Sequence, residues 1–249
     1  MQSNPFPIEF DLGRHSRAKI GFVLLATEQT IEDDMMRIMP EGVGVHFTRA
    51  PIPDSITRAS LTKLAESLGE SAALILPDGS LDVITYACTS GSLVVGEEKV
   101  FCELAKGAPL VQHSSLITAV IRALNAIKAQ KIVIVTPYLD EINTMEEVYL
   151  TECGFDVLDI QGLQIEKDSE MVCVTPESIS RFAKSVDRDD ADAIFISCGA
   201  LRSVDIVDQL EVEIGKPVIC SNQAMAWDVL RLAGINDSIN GFGQLLKDH

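Results

Sequence analysis

The chain has 249 residues, the size of one large α/β domain or of two small domains. Hydrophobic residues make up 47% of it and charged residues 23%, which argues against a disordered chain, a collagen-like repeat and a disulfide-dense miniature. The formal net charge of −17 would repel a nucleic-acid backbone or an anionic membrane surface, so we expect neither as a partner.

The sequence contains no run of about 18 apolar residues and no basic-then-apolar leader pattern, so we expect a cytoplasmic protein. Its six cysteines form no CxxC pair and no cluster with histidine at metal-ligand spacing, and we therefore expect reduced thiols and no metal. GxGxxG, Walker, HExxH and GxSxG motifs are absent as well. We accordingly expect chemistry without a cofactor.

Along the chain, short apolar runs rich in β-branched residues alternate with amphipathic stretches of helical length, which is typical of βαβ units on a parallel sheet. The predicted strands of the first half are 19–27, 42–50, 72–77, 83–89 and 109–113. Those of the second half are 131–138, 156–163, 193–199 and 217–222. Helices are predicted between them, for example over 116–129 and 224–233.

The two halves of the chain share landmarks in the same order. Three pairs recur at offsets of 112, 110 and 108 residues: Lys19 and Lys131, Cys88 and Cys198, Pro109 and Pro217. Chance spacing of strands is the alternative explanation, but two of the six cysteines fall at matching strand ends. We predict an α/β fold of two pseudo-twofold-related lobes, each a parallel sheet flanked by helices, with the active site in the cleft between them.

This symmetry predicts the domain boundaries. Residues 1–18 form an N-terminal extension, residues 19–129 the first lobe and residues 130–249 the second lobe. The same prediction lets the C-terminal residues of the chain pack against the first lobe. We also expect a homo-oligomer.

Cys88 and Cys198 are the candidate catalytic residues. Each ends a predicted strand and precedes small or flexible residues, at the sheet edge where α/β proteins bind ligands. A thiol at the start of a helix has a lowered pKa, which makes it a nucleophile or a proton carrier. Across one cleft, the two sulfur atoms should lie about 6 to 10 Å apart, since each needs a near-attack contact of about 3 to 3.5 Å.

The motifs around these cysteines resemble a known superfamily. TYACTSGS surrounds Cys88, TPY occupies residues 136–138, and ISCGALRS around Cys198 is followed by GKPVICSNQAMAW. Together these motifs resemble the Asp/Glu racemase superfamily. The branch most similar holds maleate cis/trans isomerases and racemase-like proteins of ectoine-utilisation clusters, and the resemblance extends over about residues 19–242.

The resemblance implies roles for individual residues. The cysteine matching Cys88 attacks the substrate alkene, and the one matching Cys198 is its acid/base partner, so that a succinyl-like adduct can rotate before the thiolate leaves. Tyr138 is implied to hold a substrate carboxylate. Five further positions complete the predicted substrate-binding set, with hydroxyl, backbone amide or guanidinium donors: Thr27, Thr89, Ser90, Gly199 and Arg202. For Arg202 the alternative is a surface ion pair with Asp205.

The sequence departs from the maleate isomerase pattern at two positions. An SSN-like turn is usual after the first strand, whereas this chain has Ala26, Thr27 and Glu28. Asp168 stands near a second substrate-binding asparagine of the family. Two carboxylates in place of amides would suit a substrate with an amino or amidine nitrogen, such as an ectoine breakdown intermediate. Alternatively, Glu28 caps a helix and Asp168 is a solvated loop residue.

The sequence therefore predicts a cofactor-independent, two-cysteine isomerase or racemase that acts on a small carboxylate. The resemblance adds ectoine utilisation as a candidate role. An amino-acid racemase of the Asp/Glu type is one alternative. An arylmalonate-decarboxylase-like enzyme is another, although those enzymes keep only the second of the two cysteines. A two-lobed small-molecule binding protein is the alternative from a different class, and it would need neither thiol.

Overall fold

The computed structural model describes residues 6–249, so residues 1–5 of the predicted N-terminal extension lie outside the described part. Residues 6–249 form two four-stranded sheets. The strands are β1 (Ala18–Leu25), β2 (Val43–Ala50), β3 (Val83–Tyr86), β4 (Gln112–Ser115), β5 (Lys131–Thr136), β6 (Asp156–Gly162), β7 (Ala193–Ile196) and β8 (Val218–Cys220).

Helices flank both sheets. In the first half they are α1 (Ile31–Ile38), α2 (Arg58–Leu64), α3 (Leu68–Ala72), α4 (Thr89–Val95), α5 (Glu97–Gly107) and α6 (Leu116–Ala126). In the second half they are α7 (Asp140–Glu152), α8 (Asp168–Met171), α9 (Pro176–Val186), α10 (Val207–Ile214), α11 (Ser221–Leu232) and α12 (Gln244–Asp248). Within residues 6–249, no helix is both long and apolar enough to cross a bilayer.

The two sheets have the same topology. Their strand orders are β2-β1-β3-β4 and β6-β5-β7-β8, and every pairing within them is parallel. Lys19 lies in β1 and Lys131 in β5, the two corresponding central strands. These strands are almost entirely buried, as apolar runs without alternation predict for a sheet covered on both faces. The predicted fold of two related parallel-sheet halves is confirmed.

The predicted strand over 72–77 is wrong. Helix α3 ends at Ala72 and turns follow it, with Leu74 74% exposed and Leu76 at a φ of +41°. A short apolar run does not distinguish a strand from the end of a helix. Because β1 pairs with β2 on one side and β3 on the other, the centre of this sheet offers no edge for a fifth strand.

The hydrophobic core joins the two halves. One continuous cluster contains the apolar faces of both sheets together with α6 and α11, which pack against each other across the halves. A second, smaller cluster fills the outer side of the first half. Because this shared core fixes one sheet relative to the other, the carboxyl ends of β3 and β7 open onto the same space.

The C-terminal segment contacts the first half of the chain. The Arg17 guanidinium pairs with Asp237 at 2.6 Å, and that of Arg37 lies 5.9 Å from the centroid of the Phe242 ring. Leu245 and Leu246 of α12 are fully buried. The lobe boundary at residues 129 and 130 stays a prediction, and these contacts support the proposal that the C-terminal residues pack back on the first lobe.

Candidate active site

One pocket lies where the two halves meet. Its cavity volume is about 20 Å³, which is room for about one water molecule. The first half contributes Leu25, Glu28, Ile56, Ala87, Cys88, Thr89 and Ser90, and the second contributes Tyr138, Asp168, Met171, Cys198, Gly199 and Ala200. Both candidate thiols therefore face the same pocket, while the distance between their sulfur atoms stays a prediction.

Cys88 is the N-cap residue of α4. Its backbone is extended, with a φ of −150°, and its Sγ accepts a hydrogen bond from the N–H of Gly91 at 3.2 Å. The Oγ of Ser90 lies 3.7 Å from the same sulfur. A Cβ at position 91 would stand 2.1 Å from the Tyr86 hydroxyl and 3.0 Å from Cys88 Sγ. Only glycine leaves room for this contact.

The pKa of Cys88 differs from the sequence-based expectation. Burial, with a smaller contribution from the charge of Asp168, raises the pKa of the Cys88 thiol to about 11, although the Gly91 N–H and the hydroxyls of Ser90 and Tyr86 act in the opposite direction. The prediction of a lowered pKa is therefore wrong for the ligand-free pocket. The penalty of burying a thiolate exceeds the stabilisation offered by the start of one short helix.

Cys198 follows β7 in a different backbone conformation. Its φ is +101°, in the left-handed region that side chains with a Cβ rarely occupy, and strain of this kind is common at functional sites. Burial, followed by the charge of Asp168, raises the pKa of the Cys198 thiol well above its usual range, while the Tyr138 hydroxyl and the Ala200 N–H act in the opposite direction. Both thiols are thus neutral in the empty pocket at neutral pH.

A serine that the sequence analysis missed connects the two thiol loops. The hydroxyls of Ser221 and Thr89 are hydrogen-bonded at 3.0 Å, and the N–H of Cys198 donates to Ser221 Oγ at 3.0 Å. Ser221 is the first residue of α11. Its position near the carboxyl end of the predicted 217–222 strand is the signal that could have identified it.

Glu28 is both a helix cap and a pocket residue. Its Oε1 accepts the N–H groups of Gln29, Thr30 and Ile31 at 2.9, 2.5 and 3.0 Å, at the start of α1. The side chain also lines the pocket, and the residue is only 5% exposed. Burial raises the pKa of its carboxyl. Glu28 therefore caps the helix and also lines the pocket, while its contact with a substrate stays a prediction.

Asp168 is not the solvated loop residue of the alternative interpretation. It begins α8, is 3% exposed and lines the pocket. The Thr27 hydroxyl donates to Asp168 Oδ2 at 2.5 Å, and burial raises the pKa of the carboxyl. Thr27 is thus connected to the pocket through Asp168, since its own side chain is not part of the lining.

The remaining candidates divide into two groups. Thr89, Ser90, Gly199 and Tyr138 line the pocket, with the Tyr138 hydroxyl at the Cys198 thiol. Arg202 does not: its guanidinium donates to the carbonyl of Val174 at 3.1 Å, because the chain turns back after Cys198. The alternative pairing of Arg202 is also wrong, since Asp205 pairs with Arg37 at 2.6 Å.

Two buried carboxyls lie behind the Cys198 loop at positions 112 residues apart. Asp34 accepts from the side-chain amide of Asn222 at 2.7 Å, and the same amide donates to the carbonyl of Gly199 at 2.8 Å. Glu146 accepts from the Ser197 hydroxyl at 2.7 Å. Burial raises the pKa of each carboxyl to about 7. The repeat offset found in the sequence could have identified this pair.

Among residues 6–249, no three histidine, cysteine, aspartate or glutamate side chains are grouped so as to hold a metal ion. The chemistry available on the pocket wall is that of two thiols, two carboxyls, hydroxyls and backbone amides.

Known proteins share this sequence pattern. Residues 41–246 match the family model described as arylmalonate decarboxylase, or Amdase. The maleate isomerase of Nocardia farcinica is 28% identical over 239 residues, which cover 92% of this chain and 95% of that protein. The arylmalonate decarboxylase of Bordetella bronchiseptica is 24% identical over 246 residues, covering 94% and 98%.

Solved structures share the fold. The Nocardia farcinica maleate cis-trans isomerase, as a Cys-to-Ser mutant with a covalently bound succinylcysteine intermediate, has a TM-score of 0.85 and 26% identity and covers 93% of this chain and 99% of that one. The maleate isomerase Iso of Pseudomonas putida S16 has a TM-score of 0.85 at 22% identity, covering 93% and 98%. With its two thiols in one pocket and a family match over most of its length, the chain belongs to the Amdase family of the Asp/Glu racemase-like superfamily.

Proposed function

We propose that the protein is a cofactor-independent isomerase of a small carboxylate, with Cys88 as nucleophile and Cys198 as acid and base. The observation that supports this most directly is that two thiols, from corresponding strand ends of two related halves, line one buried pocket. The relatives named maleate isomerase, and the cysteine adduct described for one of them, support the same chemistry.

The reaction on a conjugated cis acid proceeds in two balanced halves. The Cys88 thiol first gives its proton to solvent. The resulting thiolate forms a C–S bond to one alkene carbon, and the π electrons move to the neighbouring carbon, which takes the proton of Cys198. The former double bond then rotates as a single bond. Cys198, now a thiolate, removes the proton again, so that the double bond re-forms, the C–S bond breaks and the Cys88 thiolate is regenerated.

The surroundings of the two sulfurs support these different roles. The Gly91 N–H donates to Cys88 Sγ, and the Ser90 hydroxyl lies beside it, so a negative sulfur has fixed donors there. Cys198 has the Tyr138 hydroxyl and the Ala200 N–H beside it, but its pKa is raised well above the usual range, against about 11 for Cys88, so its sulfur holds a proton more firmly. The hydroxyls of Ser90 and Tyr138 and the backbone amides of Gly199 and Ala200 are the donors available for a substrate carboxylate.

A racemase is the second candidate. The equivalent placement of the two cysteines in related halves favours it, because each thiol could then serve one face of an α-carbon. In that case neither thiol forms an adduct: one removes a proton from one face of the α-carbon, and the other donates a proton to the opposite face. A role in ectoine utilisation, a cytoplasmic location and a homo-oligomeric state also stay predictions, and gel filtration with light scattering would test the last.

The deciding experiment combines proton NMR in D2O with mass spectrometry. The enzyme is incubated with maleate, D- and L-aspartate and ectoine-derived amino acids, and the Cys88→Ser and Cys198→Ser variants are compared with Cys153→Ser, which alters an exposed thiol. Isomerisation, or exchange of a C–H proton for deuterium, with an adduct on Cys88 in the Cys198→Ser variant supports the proposal.

Other outcomes distinguish the alternatives. Deuterium exchange without an adduct, with similar losses in both serine variants, favours the racemase. Loss of CO2 identifies a decarboxylase. Tight binding of an acid without turnover, unaffected by either serine variant, would show that the pocket belongs to a binding protein.

A further inference from the structure

We propose that Glu28 and Asp168 bind a protonated nitrogen of the substrate, an ammonium or amidinium group, so that the substrate is a zwitterionic acid and not a dicarboxylate. This inference rests on the proposed function, since it concerns what enters the pocket between the two thiols. Both side chains line that pocket, and they are 5% and 3% exposed.

Each of the two carboxyl groups has one oxygen engaged by the protein and one left over. The three backbone N–H groups that contact Glu28 all donate to Oε1, and Thr27 donates to Asp168 Oδ2. Among the described residues, none donates to Glu28 Oε2 or to Asp168 Oδ1. Both oxygens keep exposed surface, so they are free to accept hydrogen bonds from a ligand in the pocket. A protonated nitrogen, with two or three N–H groups, supplies donors to both acids at once.

The protein itself provides no cation for these acids. None of the described residues that line the pocket is lysine, arginine or histidine. Arg49 is turned to the carbonyls of Leu25 and Glu28 and to the carboxylate of Glu32, and Arg202 to Val174. A dicarboxylate would add two negative charges to a site that already holds two acids and two thiols. A zwitterion adds none and balances the charge locally.

The remaining donors fit a single carboxylate. The hydroxyls of Ser90 and Tyr138 and the amides of Gly199 and Ala200 lie beside the thiols. The lining thus offers donors for one carboxylate together with two acids, and the charge of Asp168 contributes to the raised pKa of Glu28. A substrate with one carboxylate and one cationic group would use both sets of groups and take one orientation between the two sulfurs.

A cation at Asp168 also has a consequence for the thiols. The charge of Asp168 raises the pKa of both Cys88 and Cys198. A protonated nitrogen next to Asp168 offsets this repulsion and lowers both pKa values. The correct substrate would thus promote formation of the thiolate that attacks it, whereas the empty pocket keeps both thiols neutral.

The opposite arrangement is two protonated carboxyls that donate to a second substrate carboxylate. Burial, which raises the pKa of Glu28 and Asp168, works in its favour at low pH. The two arrangements predict opposite trends. Binding of a dicarboxylate would weaken as the pH rises and the acids ionise, whereas binding of an ammonium acid would strengthen.

A matched pair of probes tests the proposal: maleate and cis-4-aminobut-2-enoate, in which an aminomethyl group replaces one carboxylate. Their affinities for the full-length Cys88→Ser/Cys198→Ser variant, in which no adduct can form on these two thiols, are measured by calorimetry at pH 6 and 8.5. We expect the amino acid to bind at least about tenfold more tightly than maleate at pH 8.5. Glu28→Gln or Asp168→Asn added to this variant should abolish the preference, whereas Glu41→Gln, at an exposed acid, should retain it.

Circular dichroism and thermal melting establish that each variant is folded, and the Asp168→Asn change decides the test if Glu28→Gln disturbs α1. Equal or tighter binding of maleate at pH 8.5, or a preference that survives both substitutions, overturns the proposal. Incubation of the wild-type enzyme with both probes is scored separately by mass spectrometry. Selective binding of the amino acid without an adduct or isomerisation would refute the proposed function and leave the cation site standing.

Discussion

The two halves of the molecule share one topology but present their cysteines differently. After β3, Cys88 has an extended backbone and caps a regular helix, with its sulfur held by a backbone N–H. After β7, Cys198 has a φ of +101°, and no helix follows until Val207. A repeated fold therefore fixes where the two thiols lie, while the local turn sets what each sulfur contacts. The proposed division of labour between them rests on this difference.

The pocket walls differ in the same way. Ile56 and Asp168 both line the pocket and stand 112 residues apart, so corresponding regions supply an apolar side chain in one half and an acid in the other. Deeper in the structure the halves are alike, since Asp34 and Glu146 are both buried carboxyls with a pKa of about 7. The difference between the two halves is therefore concentrated in the side chains that line the pocket.

The largest expected effect comes from removing each thiol in turn. Cys88→Ser and Cys198→Ser should each lower turnover by about 10² to 10⁴-fold, the usual contribution of a positioned nucleophile or proton carrier. The comparison is sharpened by rapid-quench mass spectrometry. If the halves differ as proposed, only Cys198→Ser accumulates an adduct, whereas an adduct on Cys198 in the other variant would reverse the assignment.

Replacing each of the two glycines beside the thiols by alanine should lower the free energy of unfolding by different amounts. In Gly91→Ala the new Cβ would stand 2.1 Å from the Tyr86 hydroxyl, and in Gly199→Ala its nearest neighbour would be the terminal Cδ1 of Ile31 at 2.9 Å. We expect urea unfolding to show a loss of about 2 to 3 kcal/mol for Gly91→Ala. Gly199→Ala should lose about 1 kcal/mol or less, since a side-chain end can move. Equal losses would show that the two loops are equally tight.

The paired carboxyls make stability depend on pH. Glu146 ionises near 4.5 in the unfolded chain, and its pKa is raised to about 7 in the fold. Its contribution is therefore complete below pH 4.5 and is lost as the pH rises through about 7. Glu146→Gln should reduce the fall in unfolding free energy between pH 5 and 8 by on the order of 1 to 2 kcal/mol, and Glu147→Gln, at an exposed neighbour, should not.

The smallest effect concerns backbone strain. At position 198 the Cys→Gly variant should be as stable as Cys→Ala or more stable by about 1 kcal/mol, because glycine tolerates the positive φ. At position 88, where the backbone is extended, glycine should be about 0.5 to 1 kcal/mol less stable than alanine. Thermal melting of the four variants checks the reversal. The same sign at both positions would mean that Cys198 is unstrained.

The sequence predicted the features that depend on periodicity and order. The buried runs of β1 and β5, the recurrence of landmarks about 110 residues apart and the positions of Cys88 and Cys198 at strand ends are all local patterns. Because parallel strands gather their carboxyl ends at one edge, these patterns placed both thiols at one pocket. The predicted 72–77 strand failed because an apolar run does not record whether a sheet edge is free.

The other wrong predictions concern how deeply a side chain is buried and in which direction it points. The pKa of Cys88 depends on how completely water is removed from around it, which a helix-start pattern does not show. Arg202 was assigned by its distance from Cys198 along the chain, but the turn after Cys198 directs its guanidinium to Val174. Ser221 was missed because its hydrogen-bond partner Thr89 lies more than 100 residues away along the chain.

The raised pKa values of the two pocket thiols also affect how fast these thiols react with oxidants. Peroxides react with thiolates and far more slowly with neutral, buried thiols. Cys88 and Cys198 meet both conditions for protection in the resting state, whereas Cys102, Cys153 and Cys173 are exposed and encounter oxidant first. The buried pair should therefore form sulfenic acid more slowly than the exposed cysteines as long as no substrate occupies the pocket. When a substrate does occupy it, the reactive sulfur has the substrate to react with in place of the oxidant.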